Sequence, residues 1–280
     1  VSEPLQQIQK PEFKKPDLPK LKTPQSGKGK VSGLSLSSVR KKQEHLQSKL
    51  AEEVQHEILP TEAFKKEDLA AFRPRVIDTF QEEYKFCTVE RNGWILKVTI
   101  NRPDVRNALH PPANEELAGV FNAFEKDENL RVAILTGAGH QSFSAGNDLK
   151  YRASGKPMYI PKMGFAGLTS RTKRLKPVIA AVNGLALGGG LEIAMACDII
   201  VAADHAKFGL PEVKVGLFAG AGGVQRLPRQ IGKKAAMEMM LTGQPIDCQK
   251  ALALGLINYA VPAQQLMEKA EKLAYYITQA

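Results

Sequence analysis

Apolar positions fall into two regimes along the 280 residues. Before about residue 80 they are sparse. Residues 1–33 are rich in Lys, Pro, Ser and Gly and read as extended, disordered chain. Leu46, Leu50, Val54 and Ile58 then recur every four residues and predict one amphipathic helix that Pro60 ends. After Phe86 the pattern becomes dense. Cys87 to Glu90 and Trp94 to Ile100 predict a hairpin around Asn92-Gly93. Pro112 to Lys126 places Leu117, Val120, Phe121 and Phe124 on one helical face, with Pro111 and Pro112 in its first turn. Val132 to Thr136, Pro177 to Val182, Ile199 to Ala203 and Ile257 to Val261 read as buried strands. Helices are expected at Thr169 to Lys176, Lys233 to Leu241, Asp247 to Leu254 and Ala263 to Thr278. Alternating strands and helices predict an α/β fold with parallel crossovers.

Charge refines the division. The net charge is +10, and residues 1–42 hold 10 basic against 3 acidic residues. Three segments follow: a basic disordered arm at 1–42, a helical extension or linker at 43–82, and a folded domain at 83–280. A Lys-rich arm could tether nucleic acid, but nothing in it resembles a base-reading motif, so a solvated linker is the expectation. Cys87, Cys197 and Cys248 are widely spaced, and the five histidines form no metal-like cluster, so no metal is expected. Reduced thiols point to the cytoplasm, or to the mitochondrial matrix in a eukaryotic cell. No apolar run reaches membrane-spanning length. The final residues, Tyr275 to Ala280, read as a helix cut short.

The densest chemistry lies between Pro177 and Glu212. Gly188, Gly189 and Gly190 open a short apolar helix, so unobstructed backbone N–H groups and the positive end of a helix dipole meet there. Such a place can hold an oxygen that becomes negative during reaction. It is also what tight packing or a phosphate cradle would use. Glu192 lies in the first turn, where a carboxylate is common for dipole reasons alone, and Glu212 follows Pro211 in a loop. No GxGxxG follows the first strand, no GK[ST] follows the glycines, and Ser144 lacks a histidine motif. Dinucleotide, P-loop and serine-hydrolase readings are thereby set aside.

Five blocks, NRPDVRNAL (101–109), FSAGNDLK (143–150), KPVIAAVNGLALGGGLEIAMACD (176–198), KFGLPEVKVGL (207–217) and GAGGVQRLPRQIG (220–232), occur in one order. Together they resemble the crotonase superfamily, the enoyl-CoA hydratase/isomerase family, over about residues 86–280. The resemblance implies a spiral of repeated ββα units whose C-terminal helical segment is truncated here. It implies an acyl-CoA substrate, with coenzyme A as part of the substrate and no separate cofactor. Full-length assembly into a homotrimer or a dimer of trimers is also implied, without nucleic acid or membrane.

By the same resemblance, the backbone N–H groups of Asn147 and Gly189 form an oxyanion hole for the thioester oxygen. Glu192 and Glu212 handle water as the acid–base pair, and the Gly220 amide helps place that water. The backbone from Ala145 through Asp148 and Leu149 to Lys150 contacts the CoA moiety, and the Arg106 cation meets it near its pantetheine and phosphates. Two glutamates rather than one favour hydration of a 2-enoyl-CoA. The alternatives are Δ3-Δ2 enoyl-CoA isomerisation, carnitinyl-CoA dehydration or a non-catalytic nucleic-acid-binding role. Met158, Tyr159, Ile160, Met163 and Phe165 line the acyl pocket or form a satellite core. Arg171, Lys173, Arg174 and Lys176 are expected on a solvated helix face.

Overall fold

A computed structural model describes Phe80 and residues 83–279. The expectations for the basic arm and for the helix around Leu46 lie outside the described residues.

The folded part is built from two sheets wound together. The larger has six strands in the order β1 (Cys87–Asn92), β2 (Ile95–Ile100), β3 (Val132–Gly137), β5 (Val178–Val182), β7 (Ile199–Ala203), β10 (Tyr259–Val261). The smaller has the order β4 (Ser142–Ser144), β6 (Leu185–Leu187), β8 (Lys207–Gly209), β9 (Ile246–Asp247). Successive pairs β3/β4, β5/β6 and β7/β8 each send one strand to each sheet. Like strands pair in parallel from one turn to the next. This is the expected spiral of repeated ββα units.

Every residue of β3 and β5 is buried, as continuous apolar runs in a covered parallel sheet require. β1 alternates exposed and less exposed positions because it is an antiparallel edge. Asn92 pairs with Ile95, so the hairpin turns on Gly93 and Trp94 rather than on Asn92-Gly93. Gly93 has φ 57° and takes the first central position, where mirror-image turns need left-handed backbone.

Helix α1 (Pro111–Lys126) buries Leu117, Val120, Phe121 and Phe124 as its spacing predicts. The remaining helices are α2 (Leu149–Ala153), α3 (Gly189–Ala196), α4 (Gly223–Ile231), α5 (Lys233–Thr242), α6 (Cys248–Ala253) and α7 (Leu266–Gln279). α7 packs across β3, β5 and β7. The main core includes Phe121, Phe124, Phe143, Phe208, Leu96 and Ile100, all at most 1% exposed.

The helix expected at Thr169 to Lys176 does not form. Residues 171–175 are not helical. Their cations reach across the fold instead. Arg171 donates to Gly167 O and Asn122 Oδ1, Arg174 pairs with Asp198, and Lys176 Nζ donates to Phe124 O and Asp127 O. Side-chain bonds to neighbouring elements replace the local ladder, so this is no solvated helix face. The glycine-rich stretch after residue 220 turns only as far as Gly222 and then becomes α4, with Pro228 inside it.

Candidate active site

The site lies where β4, β6 and β8 deliver their loops to α3. Two close approaches require glycine. A Cβ on Gly190 would lie 2.0 Å from Ser144 O, so only a bare Cα lets α3 settle against β4. Gly146 has φ 84°, and a Cβ there would lie 2.7 Å from Gly189 N. The chain just before Asn147 therefore presses on the first residue of α3. Asn147 sits in a parallel bridge with Leu109: Leu109 N donates to Gly146 O (2.7 Å) and Asp148 N to Leu109 O (3.1 Å). In that pattern the Asn147 amide faces away from the bridge. Neither the Asn147 nor the Gly189 N–H donates to an acceptor among the described residues.

Glu192 follows in the first turn of α3 and is 2% exposed. Its Oε1 accepts the Gly223 N–H at 2.8 Å, at the start of α4. Burial raises its pKa most, to about 7. The Glu212 charge pushes the same way, against the Gly223 and Ala221 amides and Arg226. Glu212 stands in a 3-10 turn, Pro211–Val215, at the end of β8. Its Oε1 lies 3.2 Å from where a Gly188 Cβ would be, and its Oε2 is buried with no protein hydrogen-bond partner. Burial raises its pKa too, opposed by its own backbone N–H. Glu212 thus borders the glycine preceding Gly189, and its charge is felt by Glu192. A carboxylate oxygen that is buried, raised and unpartnered suits a water or substrate proton better than it suits packing.

The other expected residues are not all drawn to this place. Asp148 is 5% exposed and internally committed. It caps α2 by accepting the Tyr151 N–H (3.0 Å) and pairs with Arg102 (2.9 Å). Burial alone would raise its pKa, but these two partners hold it low. Its carboxylate is therefore a structural anchor of the loop. Arg106 lines a separate polar cavity of about 390 Å³ with Asp104, Asn107, His140, Gln141 and Ser142. It has φ 54°, and its carbonyl accepts the Ala145 N–H at 3.0 Å. The backbone of Arg106, rather than its guanidinium, shapes the Asn147 loop. Gly220 N donates to Phe218 O at 2.8 Å, so the amide expected to hold water is already engaged. Ala145 is half-buried, while Leu149 and Lys150 are exposed.

Two contributors, Asn107 and Arg226, escaped the sequence reading, and Phe165, expected in the acyl lining, proves also to pack on α3. Asn107 is fully buried at φ 55°. It donates to Ala138 O (3.0 Å) and Ser142 O (2.7 Å) and accepts the Arg102 N–H, tying the first block to the second. Arg226 donates to Thr169 O (2.8 Å) and Ala221 O (3.2 Å), fixing the loop whose amides face Glu192. Phe165 closes over Gly189, its ring edge 3.3 Å from the Cβ position there. Spacing of Val224, Leu227 and Ile231 was a helix signal that would have placed Arg226 near the site.

Beside Asn147 and Phe165 opens a cavity of about 260 Å³, lined also by Pro111, Asn114, Arg152, Met158, Tyr159 and Ile160. Three residues of the proposed apolar lining, Met158, Tyr159 and Ile160, are partly exposed on its rim and belong to no core cluster.

Comparison with known proteins agrees with this architecture. Residues 90–280 match the family model for enoyl-CoA hydratase/isomerase. The carnitinyl-CoA dehydratases of Citrobacter koseri and Escherichia coli K12 are each 47% identical over 186 residues, 66% of this chain and 71% of theirs. A carnitinyl-CoA dehydratase structure from Mycobacterium avium 104 superposes with TM-score 0.67 at 44% identity, covering 70% of this chain and 78% of that one. An enoyl-CoA hydratase structure from Mycobacterium tuberculosis H37Rv gives TM-score 0.66 at 44% identity, covering 70% and 76%. A match across most of the chain, on a fold that brings the glycine-opened helix and both glutamates together, places this protein in the enoyl-CoA hydratase/isomerase family of the crotonase superfamily.

Proposed function

We propose that this chain adds water across the 2,3 double bond of a 2-enoyl-CoA, and removes it in reverse. The thioester oxygen lies between the Asn147 and Gly189 amides. Attack of water at C3 pushes charge onto that oxygen, giving an enolate that the two N–H groups stabilise. Losing one such donor typically costs about 3 kcal/mol of barrier. Burial raises both carboxyls, Glu192 to about 7, so a proton can reside on this pair near neutral pH. One carboxylate takes the proton of the attacking water while the other returns a proton to C2. The amide of Gly223, bonded to Glu192, fixes the carboxylate's orientation. CoA is carried as part of the substrate, met by the backbone from Ala145 through Lys150. No separate cofactor takes part.

The observation that carries this reading is the pairing of a buried Glu192 with a Glu212 oxygen that has no protein partner, next to two free amides. The test is loss of the 2-enoyl thioester absorbance band when the chain meets crotonyl-CoA. Activity abolished in both Glu192→Gln and Glu212→Gln, with acyl-CoA binding kept, supports it. Full turnover in both variants overturns it. Dehydration of a carnitinyl thioester is the second reading, favoured by the names of the relatives, and product analysis on both thioesters separates the two.

Self-association as trimers belongs to the same proposal. Val215, Leu217 and Phe218, following Glu212, are 56%, 41% and 74% exposed, as is Leu241 at 66%. Exposed apolar side chains in this number beside a site suit an interface, and sedimentation of the chain reads it directly.

A further inference from the structure

The cavity beside Asn147 has a polarity that the hydration chemistry does not use. It opens off the acyl side of the oxyanion donors, since Phe165 both lines it and touches the Gly189 position. Arg152 is the one charged side chain among its lining residues. It stands at the end of α2 and forms no ion pair among the described residues. The segment from Leu149 to Lys162 adds Lys150, Lys156 and Lys162 and contains no acidic residue. Asn114 commits its Oδ1 to the Ala166 N–H (2.8 Å), so what it offers the cavity is its NH2 donor. The carboxylate that reaches this rim, Glu115, is engaged by the Tyr159 hydroxyl. The polar part of the wall is thus the Asn114 NH2, the Asn147 amide, the Tyr159 oxygen and one cation, Arg152, whose charge no lining carboxylate balances. At about 30 Å³ per water-sized group, the cavity holds roughly nine heavy atoms, enough for a short acyl chain with a polar end.

We infer that Arg152 selects acyl-CoA thioesters whose chain ends in a carboxylate, over neutral chains and over chains ending in a quaternary ammonium. This rests on the acyl-CoA reading above. A guanidinium offers a carboxylate paired N–H donors in a fixed fork, whereas a trimethylammonium group has no acceptor to give it and meets like charge.

The test compares kcat/KM for three 2-enoyl thioesters on one preparation: glutaconyl-CoA (anionic end), crotonyl-CoA (neutral) and the thioester of 4-trimethylammonio-crotonate (cationic). Ratios between substrates cancel any difference in folded fraction among variants. The native chain is expected to favour glutaconyl-CoA over crotonyl-CoA by about tenfold, the scale of one charge-assisted hydrogen bond. Arg152→Lys keeps part of the ratio, Arg152→Gln brings it near one, and Arg152→Glu moves preference to the cationic thioester. A ratio that does not move in Arg152→Gln and Arg152→Glu overturns the inference. So does native preference for the cationic thioester, which would make Glu115 and Tyr159 the readers of the tail. If no thioester is turned over, the hydration reading fails. The tail preference is then read as the same ratio of dissociation constants by calorimetry, with the same outcomes deciding it.

Discussion

The floor of the site and its rim are built on opposite physical terms. The floor joins β4, α3 and the start of α4. There Glu192 is 2% exposed, and a Cβ at Gly190 would overlap Ser144 O. The rim, residues 149–165, carries Met158, Tyr159 and Ile160 at 39%, 45% and 62% exposure. A floor packed this closely can fix two amides and Glu192 against one reacting group, because side chains added at Gly146 or Gly190 would meet backbone atoms. A rim of half-exposed side chains can change composition at little cost in stability. The reaction should therefore be set by the floor and the choice of acyl chain by the rim.

The sharpest break in that contrast comes from the carboxylates. Glu192→Gln and Glu212→Gln should each lower kcat by about 10²- to 10⁴-fold, the usual contribution of an acid–base group, with little change in acyl-CoA affinity by calorimetry. Next is Gly190→Ala. Its methyl would meet the Ser144 carbonyl, and overpacking of this kind costs roughly 1–3 kcal/mol. Activity should fall at least a hundredfold while circular dichroism still reports the fold.

The third prediction concerns pH. The folded pKa of Glu192 is raised to about 7 from an ordinary 4.5. The folded state then binds more protons than the unfolded state between these values, so stability falls as pH rises from about 4.5 to 7. The loss amounts to about 3 kcal/mol from this group. Glu192→Gln should remove that slope, so the crippled variant is the more stable one at pH 8 by denaturant unfolding. An equal slope in both proteins would place the titration elsewhere. The smallest effects belong to the rim. Tyr159→Phe and Ile160→Ser should shift unfolding free energy by no more than about 0.5 kcal/mol, and alter KM for different acyl chains by less than tenfold.

The same contrast explains what could be read from sequence. The floor's long apolar strands, its three glycines and its two glutamates are written in contiguous residues, so β5, α3 and β7 lie within a residue or two of their expected bounds. The second sheet was illegible because β4, β6 and β8 have three residues each, too few to show a period. Arg171 and Lys176 suggested a helix by proximity in sequence, yet their partners, Asn122 and Asp127, lie about fifty residues away. The Asp148 carboxylate caps α2 and pairs with Arg102, and Arg106 lines a second cavity. Residue type was legible at both positions. Side-chain direction depends on tertiary partners and was not.

The most direct test of the central claim reads the carboxyl proton itself. Infrared difference spectroscopy of the protonated carboxyl stretch, titrated from pH 4 to 9, should show one glutamate losing its proton near 7 in the native chain. In Glu212→Gln that titration should move to lower pH, because a neighbouring negative charge is gone. A carboxyl that titrates near 4.5 and is indifferent to Glu212→Gln would contradict a shared acid–base pair, and with it the account of the site.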